Sequence, residues 1–239
     1  GLLLFFALDA AQASSDKSNK PQFLTGVGTE IKALPYIISS PGFYYITQDL
    51  SCVAESKGIT IEADNVTLDL MGFSLIGPGG TEKKTGAYGI YMNERFNIEI
   101  RNGTVGNFQW SGIVGLNTDA AGYRIINVRA INNLGTGIAV HGKGNLVKNC
   151  TAVGNGGRGI EVGQGATIDG CTCSKNYIDG IFAYAGSTVI GNTCRDNGHE
   201  IPPDDPMNPE TCGIRIAGKG ATVTGNTCSG NYIGIGADK

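Results

Sequence analysis

The chain has 239 residues, 38 of them Gly and 19 Asn, with 41% hydrophobic and only 16% charged residues. That balance excludes a disordered chain, Gly without a three-residue period excludes collagen, and a net charge of −3 argues against nucleic acid as a main partner. A Gly share more than twice the usual ~7% points to turns and strands.

Residues 1–13 read as the tail of a secretory signal peptide. A short apolar run over residues 1–8 precedes Ala11-Gln12-Ala13, which has the A-x-A form of a cleavage site. The run is too short to span a membrane, and no later apolar stretch reaches about 18 residues. The expectation is a soluble, secreted or periplasmic mature chain, with the given sequence starting inside the signal. Residues 14–57 are expected to form a linker and an N-terminal cap, with Pro35 and Pro41 inside them.

From residue 58 a repeat takes over. A Gly-Ile pair recurs at Gly58, Gly89, Gly112, Gly137, Gly159, Gly180, Gly213 and Gly234, with spacings of 31, 23, 25, 22, 21, 33 and 21 residues. Two residues after the Ile stand Ile61, Met92, Val140, Val162, Ala183 and Ile216, so alternation turns these side chains to one face. Two further apolar columns follow in each unit. One runs through Ile100, Ile125, Val147, Ile168, Val189 and Val223, the other through Val105, Ala130, Ala152, Cys173, Cys194 and Cys228. Three short strands per unit describe one coil of a β-solenoid. The repeat predicts seven to eight rungs over residues 58–239, with Ile138, Ile160, Ile181 and Ile214 stacked inside. The sequence stops part-way through a unit, so the reading places the end of the column beyond Lys239.

Asn133, Asn155, Asn176, Asn197 and Asn231 fall at one equivalent turn, where stacked amides can pair from coil to coil. The seven Cys fit the same scheme as small core hydrophobes, although a disulfide between adjacent coils stays open. Three N-x-T sequons, at Asn65, Asn102 and Asn149, fall within rungs and read as turn residues. Outward Thr151, Thr172, Thr193 and Thr227 fit strand propensity.

With the segment SSPGFYYITQDL (39–50), the first rung GITIEADNVTLDLMG (58–72) and units such as GIEVGQGATIDGCTCSKN (159–176), the chain resembles the right-handed parallel β-helix, or pectin-lyase-like, superfamily over about residues 36–239. The resemblance implies an all-β right-handed parallel β-helix and chemistry on acidic polysaccharides, by lyases, hydrolases or epimerases. No catalytic signature of those enzymes is present, so no family residue carries over. Asn117-Thr118-Asp119 matches a fragment of the galacturonan hydrolase pattern but lacks the steps that follow it, and reads as a turn. The Gly-Lys-Gly and Gly-Gln-Gly triplets at 142–144, 163–165 and 218–220 recur at one place in the repeat and also read as turns.

The candidate site is the outer face of the strand after each Gly-Ile step. Alternation turns His141, Glu161, Phe182, Tyr184 and Arg215 outwards, with Arg158 and Asp179 at the edge. Aromatic rings stack on sugars and Arg grips carboxylates, so Arg158, Glu161, Asp179, Phe182, Tyr184 and Arg215 are the candidate substrate-binding residues. His141, Tyr184 and Arg215 are the candidate catalytic ones. An insertion at 198–211 holds His199, Glu200, Asp204 and Asp205, candidate ligands whose acidic oxygens suit Ca²⁺. Two functions follow: an exported protein that binds or processes an acidic polysaccharide, lyase- or epimerase-like, or a non-catalytic solenoid for display, adhesion or assembly.

Overall fold

A computed structural model describes residues 27–53, 56–92, 94–198 and 211–238. The insertion residues His199, Glu200, Asp204 and Asp205, and the proposed signal segment, lie outside the described residues. Among those described there are only strands, turns and loops, as the repeat predicts.

The strands form two sheets, parallel at every pairing. The first stacks nine strands in chain order: Tyr36–Ile38, Ile59–Ile61, Ile90–Tyr91, Ile113–Gly115, Ile138–Val140, Ile160–Val162, Ile181–Tyr184, Cys212–Ala217 and Ile233–Ala237. The second has fifteen strands, in general two per coil; one coil runs Ile138–Val140, Leu146–Lys148 and Thr151–Val153 before returning at Ile160–Val162. The segment assigned to the cap joins this stacking. Its strands Thr29–Glu30 and Tyr36–Ile38 are the outermost strands at the N-terminal end of the two sheets, so they cover the coil below by pairing with it.

Register follows the columns read from the sequence. Ile113, Ile138, Ile160, Ile181 and Ile214 are successive partners, as are Ile125, Val147, Ile168 and Val189, and Ala130, Ala152, Cys173 and Cys194. All of these side chains are buried. The seven cysteines are free thiols. Contact with Cys173, and burial, push the Cys194 thiol well above its ordinary range, so it packs as a neutral hydrophobe.

The predicted asparagine column is a continuous ladder. Each Nδ2 donates to the Oδ1 of the next: Asn133 to Asn155 at 3.0 Å, then Asn155 to Asn176, Asn176 to Asn197 and Asn197 to Asn231, each at 2.9 Å. The same Oδ1 atoms also accept the backbone N–H of the preceding Asn, and the same Nδ2 groups donate to strand carbonyls such as Ala130 O and Ala152 O. The ladder explains the Gly of the Gly-Ile pairs at Gly112, Gly137, Gly159, Gly180 and Gly213. A Cβ on Gly159 would stand 2.6 Å from both Asn176 Nδ2 and Gly180 O, and the neighbouring glycines meet the same two atom types.

A second polar column, at the bend between the two strands of the larger sheet, was not read from the sequence. Asn192 Nδ2 donates to Asn226 Oδ1 at 3.0 Å, Asn192 Oδ1 accepts the Cys171 N–H, and Cys171 Sγ accepts the Cys150 N–H in turn. The sequon residues Asn65, Asn102 and Asn149 have left-handed φ of 56°, 58° and 53°; Asn65 and Asn149 lie at bends, and Asn102 within the strand Ile98–Gly106.

Asn176→Ala deletes a group that accepts two N–H donors and satisfies a carbonyl, and is expected to cost about 2–4 kcal/mol. Gly159→Ala is expected to cost about 1–3 kcal/mol by overpacking the same spot. Because the two share atoms, the double variant should lose less than the sum, as read from urea unfolding midpoints.

Candidate functional site

Outward positions of the nine-stranded sheet form parallel columns, one residue per coil. The central column runs Ile37, Thr60, Tyr91, Val114, Ala139, Glu161, Phe182, Arg215 and Gly236. Beside it, at the residue after each inward position, stand Leu116, His141, Gly163, Tyr184, Ala217 and Asp238, and on the other side Arg158 and Asp179. The strand period thus brings His141, Arg158, Glu161, Asp179, Phe182 and Tyr184 into one patch across three coils.

The patch is a chain of charge pairs. His141 Nε2 lies 2.8 Å from Glu161 Oε1, and Arg158 Nη1 donates to Glu161 Oε2 at 2.9 Å. Arg158 Nε donates to Asp179 Oδ2 at 3.1 Å, and Asp179 Oδ1 accepts the Cys212 N–H at 2.8 Å. The Arg158 guanidinium also lies over the Phe182 ring, 3.8 Å from its centroid. These groups face outwards but are covered: Asp179 is 0% exposed, Phe182 6% and Glu161 8%. Asp179 therefore holds Arg158 and presents nothing to a ligand. Tyr184, 36% exposed, is the accessible ring.

Burial pushes the Glu161 carboxyl up, but the bond to His141 and the charge of Arg158 outweigh it and hold the group below its usual range. At Asp179 burial wins over the Cys212 N–H and Arg158, and the carboxyl stands above its usual value. Burial alone would weaken the Arg158 charge; Glu161 and Asp179 reverse that and keep it protonated.

Arg215 borders this cluster, and its charge is one of those opposing burial at Asp179. Its Nε donates to Asp238 Oδ1 at 3.1 Å and Nη2 lies 3.1 Å from the same oxygen, while its guanidinium is 5.9 Å from the Phe182 centroid. Asp238 is exposed, so this pair contributes only about 0–1 kcal/mol, whereas removing one partner of the Arg158 cluster would cost about 3–5 kcal/mol.

Next to the patch lies an open cleft of about 420 Å³, lined by Thr118, Asp119, His141, Lys143, Gly163, Gln164 and Tyr184. Gly163 makes the opening. It stands between His141 and Tyr184 in the same column, and those rings lean towards each other over it, with centroids 6.1 Å apart. A Cβ on Gly163 would meet the His141 carbonyl oxygen at 1.5 Å. Asn117-Thr118-Asp119 is a turn, as read, with Asn117 Oδ1 accepting the Asp119 N–H at 2.7 Å. Sequence reading nevertheless missed that Thr118, Asp119, Lys143 and Gln164 share one wall with His141. The only signal was that the Gly-Lys-Gly and Gly-Gln-Gly turns occupy equivalent places on adjacent coils. Among the described residues, no group of three His, Cys, Asp or Glu side chains is placed to hold a metal ion.

Residues 43–197, well over half of the chain, match the family model described as right handed beta helix region, and the chain belongs to that family. No curated protein matches the sequence. Among solved structures, pectate lyase Pel9A aligns with a TM-score of 0.58 at 15% identity, covering 80% of this chain and 56% of the lyase. The A-module of the mannuronan C-5 epimerase AlgE4 from Azotobacter vinelandii aligns with a TM-score of 0.43 at 14% identity, covering 87% of this chain and 76% of that one. The likeness to the lyase shows the parallel β-helix fold, and the chain spans little more than half of the lyase's length. No helix among the described residues is long and apolar enough to cross a membrane.

The charge cluster sets a pH dependence. Glu161 is held below 4.5, so its stabilising share is complete above about that pH and is lost as pH falls through the lower folded value. Asp179 has the opposite sign, since its raised value makes ionisation a cost as pH rises. Glu161→Gln should therefore lower the urea midpoint near neutral pH, and the gap to the parent should narrow towards about pH 3. A gap of constant size would contradict the ion-pair assignment.

Proposed function

We propose that the outer face of the nine-stranded sheet binds a polysaccharide chain, and that the protein is an exported, carbohydrate-active β-helix. The observation that carries this reading is the patch itself. An accessible ring at Tyr184 and a cleft at His141 lie beside a rigid charged floor that spans neighbouring coils. Coils are ~4.8 Å apart, close to the length of a sugar unit, so successive sugars would meet successive coils. The face continues to Tyr91, four coils from Phe182 and thus ~19 Å away. There Lys57 sits 4.1 Å over the Tyr91 ring and Tyr88 stacks on it at 5.4 Å.

An acidic polysaccharide is the class favoured by Arg215. Its partner Asp238 is exposed, so a sugar carboxylate can compete there for the guanidinium, whereas the carboxylates that hold Arg158 are covered. Export is supported by the signal-like residues 1–13.

A glycan array with the purified chain tests the reading, followed by titration of the best binder. Tyr184→Ala and Arg215→Ala should each weaken binding about tenfold, or ~1.4 kcal/mol, with an unchanged β-rich circular dichroism spectrum. Binding to no polysaccharide would favour a solenoid for display, adhesion or assembly.

A further inference from the structure

We propose that the cleft beside His141 is an acyl-ester hydrolysis site, with His141 as general base and Glu161 as its positioning residue, acting on O-acylated sugars. The proposal rests on the polysaccharide reading and adds a reaction to it.

The hydrogen-bond pattern fixes the chemistry of the ring. An ionised carboxylate only accepts hydrogen bonds, so Glu161 Oε1 takes the Nε2–H of His141, and Nδ1 is the nitrogen left to act as the base. Glu161 cannot turn away, because Arg158 holds its other oxygen, Asp179 holds Arg158, and the Cys212 N–H holds Asp179. A base oriented by a buried carboxylate next to an open cleft is the arrangement that activates an O–H nucleophile.

Two other reactions fit less well. Glycoside hydrolysis generally uses two carboxyl groups flanking the bond. Here Glu161 and Asp179 are buried and paired, and only Asp119 faces the cleft. Removal of a proton from the carbon beside a sugar carboxylate needs a strong cation on that same sugar. Arg158 is committed to two carboxylates, and Arg215 is three coils from His141, ~14 Å along the axis. The remaining cleft groups are Thr118, Lys143, Gln164 and Tyr184. Thr118, Gln164 and Tyr184 are neutral donors and Lys143 is a point cation without the planar fork of Arg, a set suited to a developing oxyanion rather than to bidentate capture of a carboxylate.

In the step, His141 Nδ1 takes a proton from water as the water oxygen bonds to the ester carbonyl carbon. Donors from Gln164, Lys143 or Thr118 face the resulting oxyanion. Collapse breaks the bond from that carbon to the sugar oxygen, and the imidazolium returns its proton to the oxygen. The products are a carboxylic acid and a free sugar hydroxyl. A cleft of about 420 Å³ has room for one sugar and a small acyl group.

The test measures acetate released from acetylated pectin and acetylated xylan, with binding to the deacetylated polymers measured in parallel. The parent should release acetate. His141→Ala should lose at least ~100-fold in kcat, with partial rescue by added imidazole, which a purely structural role would not show. Glu161→Gln should lower kcat about tenfold, ~1.4 kcal/mol, with KM and binding little changed. Should Glu161→Gln fail to fold, His141→Ala at its partly exposed position decides alone. Binding without acetate release overturns the ester reaction and leaves the polysaccharide reading standing. So does full activity in His141→Ala, or unsaturated sugar products in place of acetate. Absence of both binding and release overturns the two together.

Discussion

The amide ladder from Asn133 to Asn231 constrains the rest of the molecule. Each side chain bonds up the column and also satisfies backbone groups that a tight bend would leave without partners, at a cost of about 1–3 kcal/mol apiece if unmet. For the amides to sit that close, the residue before the Ile facing each of them must lack a Cβ, and it is Gly at 112, 137, 159, 180 and 213. The following Ile then has no choice but to point inwards. The outward face is set by the same register, one residue further along.

That face is built from charge pairs of very different strength. The Arg158 cluster is covered, joined to the backbone through Asp179, and stacked on Phe182, so it acts as a fixed support. In the Arg215–Asp238 pair the carboxylate is exposed and the guanidinium partly buried, so that pair contributes less. A row of similar-looking outward polar residues thus separates into a covered cluster that holds His141 through Glu161 and a more open pair at its edge.

The cleft has an equally local origin. At the turn after the sheet, Gly163 removes one side chain from a column that otherwise carries His141 and Tyr184. The turns of adjacent coils then supply Asp119, Lys143 and Gln164 as a wall. Regular stacking makes neighbours of residues some 20 positions apart, and one missing side chain makes room between them.

The sequence alone determined the coil. The Gly-Ile period, three apolar columns and the asparagine turn appear in the structure at the predicted registers, because each depends on local alternation and on a repeat length that stacking must respect. It also identified His141, Glu161, Phe182, Tyr184 and Arg215 as facing one way, with Arg158 and Asp179 at the edge. What only the tertiary structure decided is how those residues act. Asp179 is sealed beneath Arg158, Asn117-Thr118-Asp119 borders the cleft as well as making a turn, and Cys150 and Cys171 continue a polar column with Asn192 and Asn226. Those outcomes depend on which side chain covers which across adjacent coils. Burial and charge pairing are set by neighbours in space, about 4.8 Å away up the column, and alternation along one strand carries no record of them.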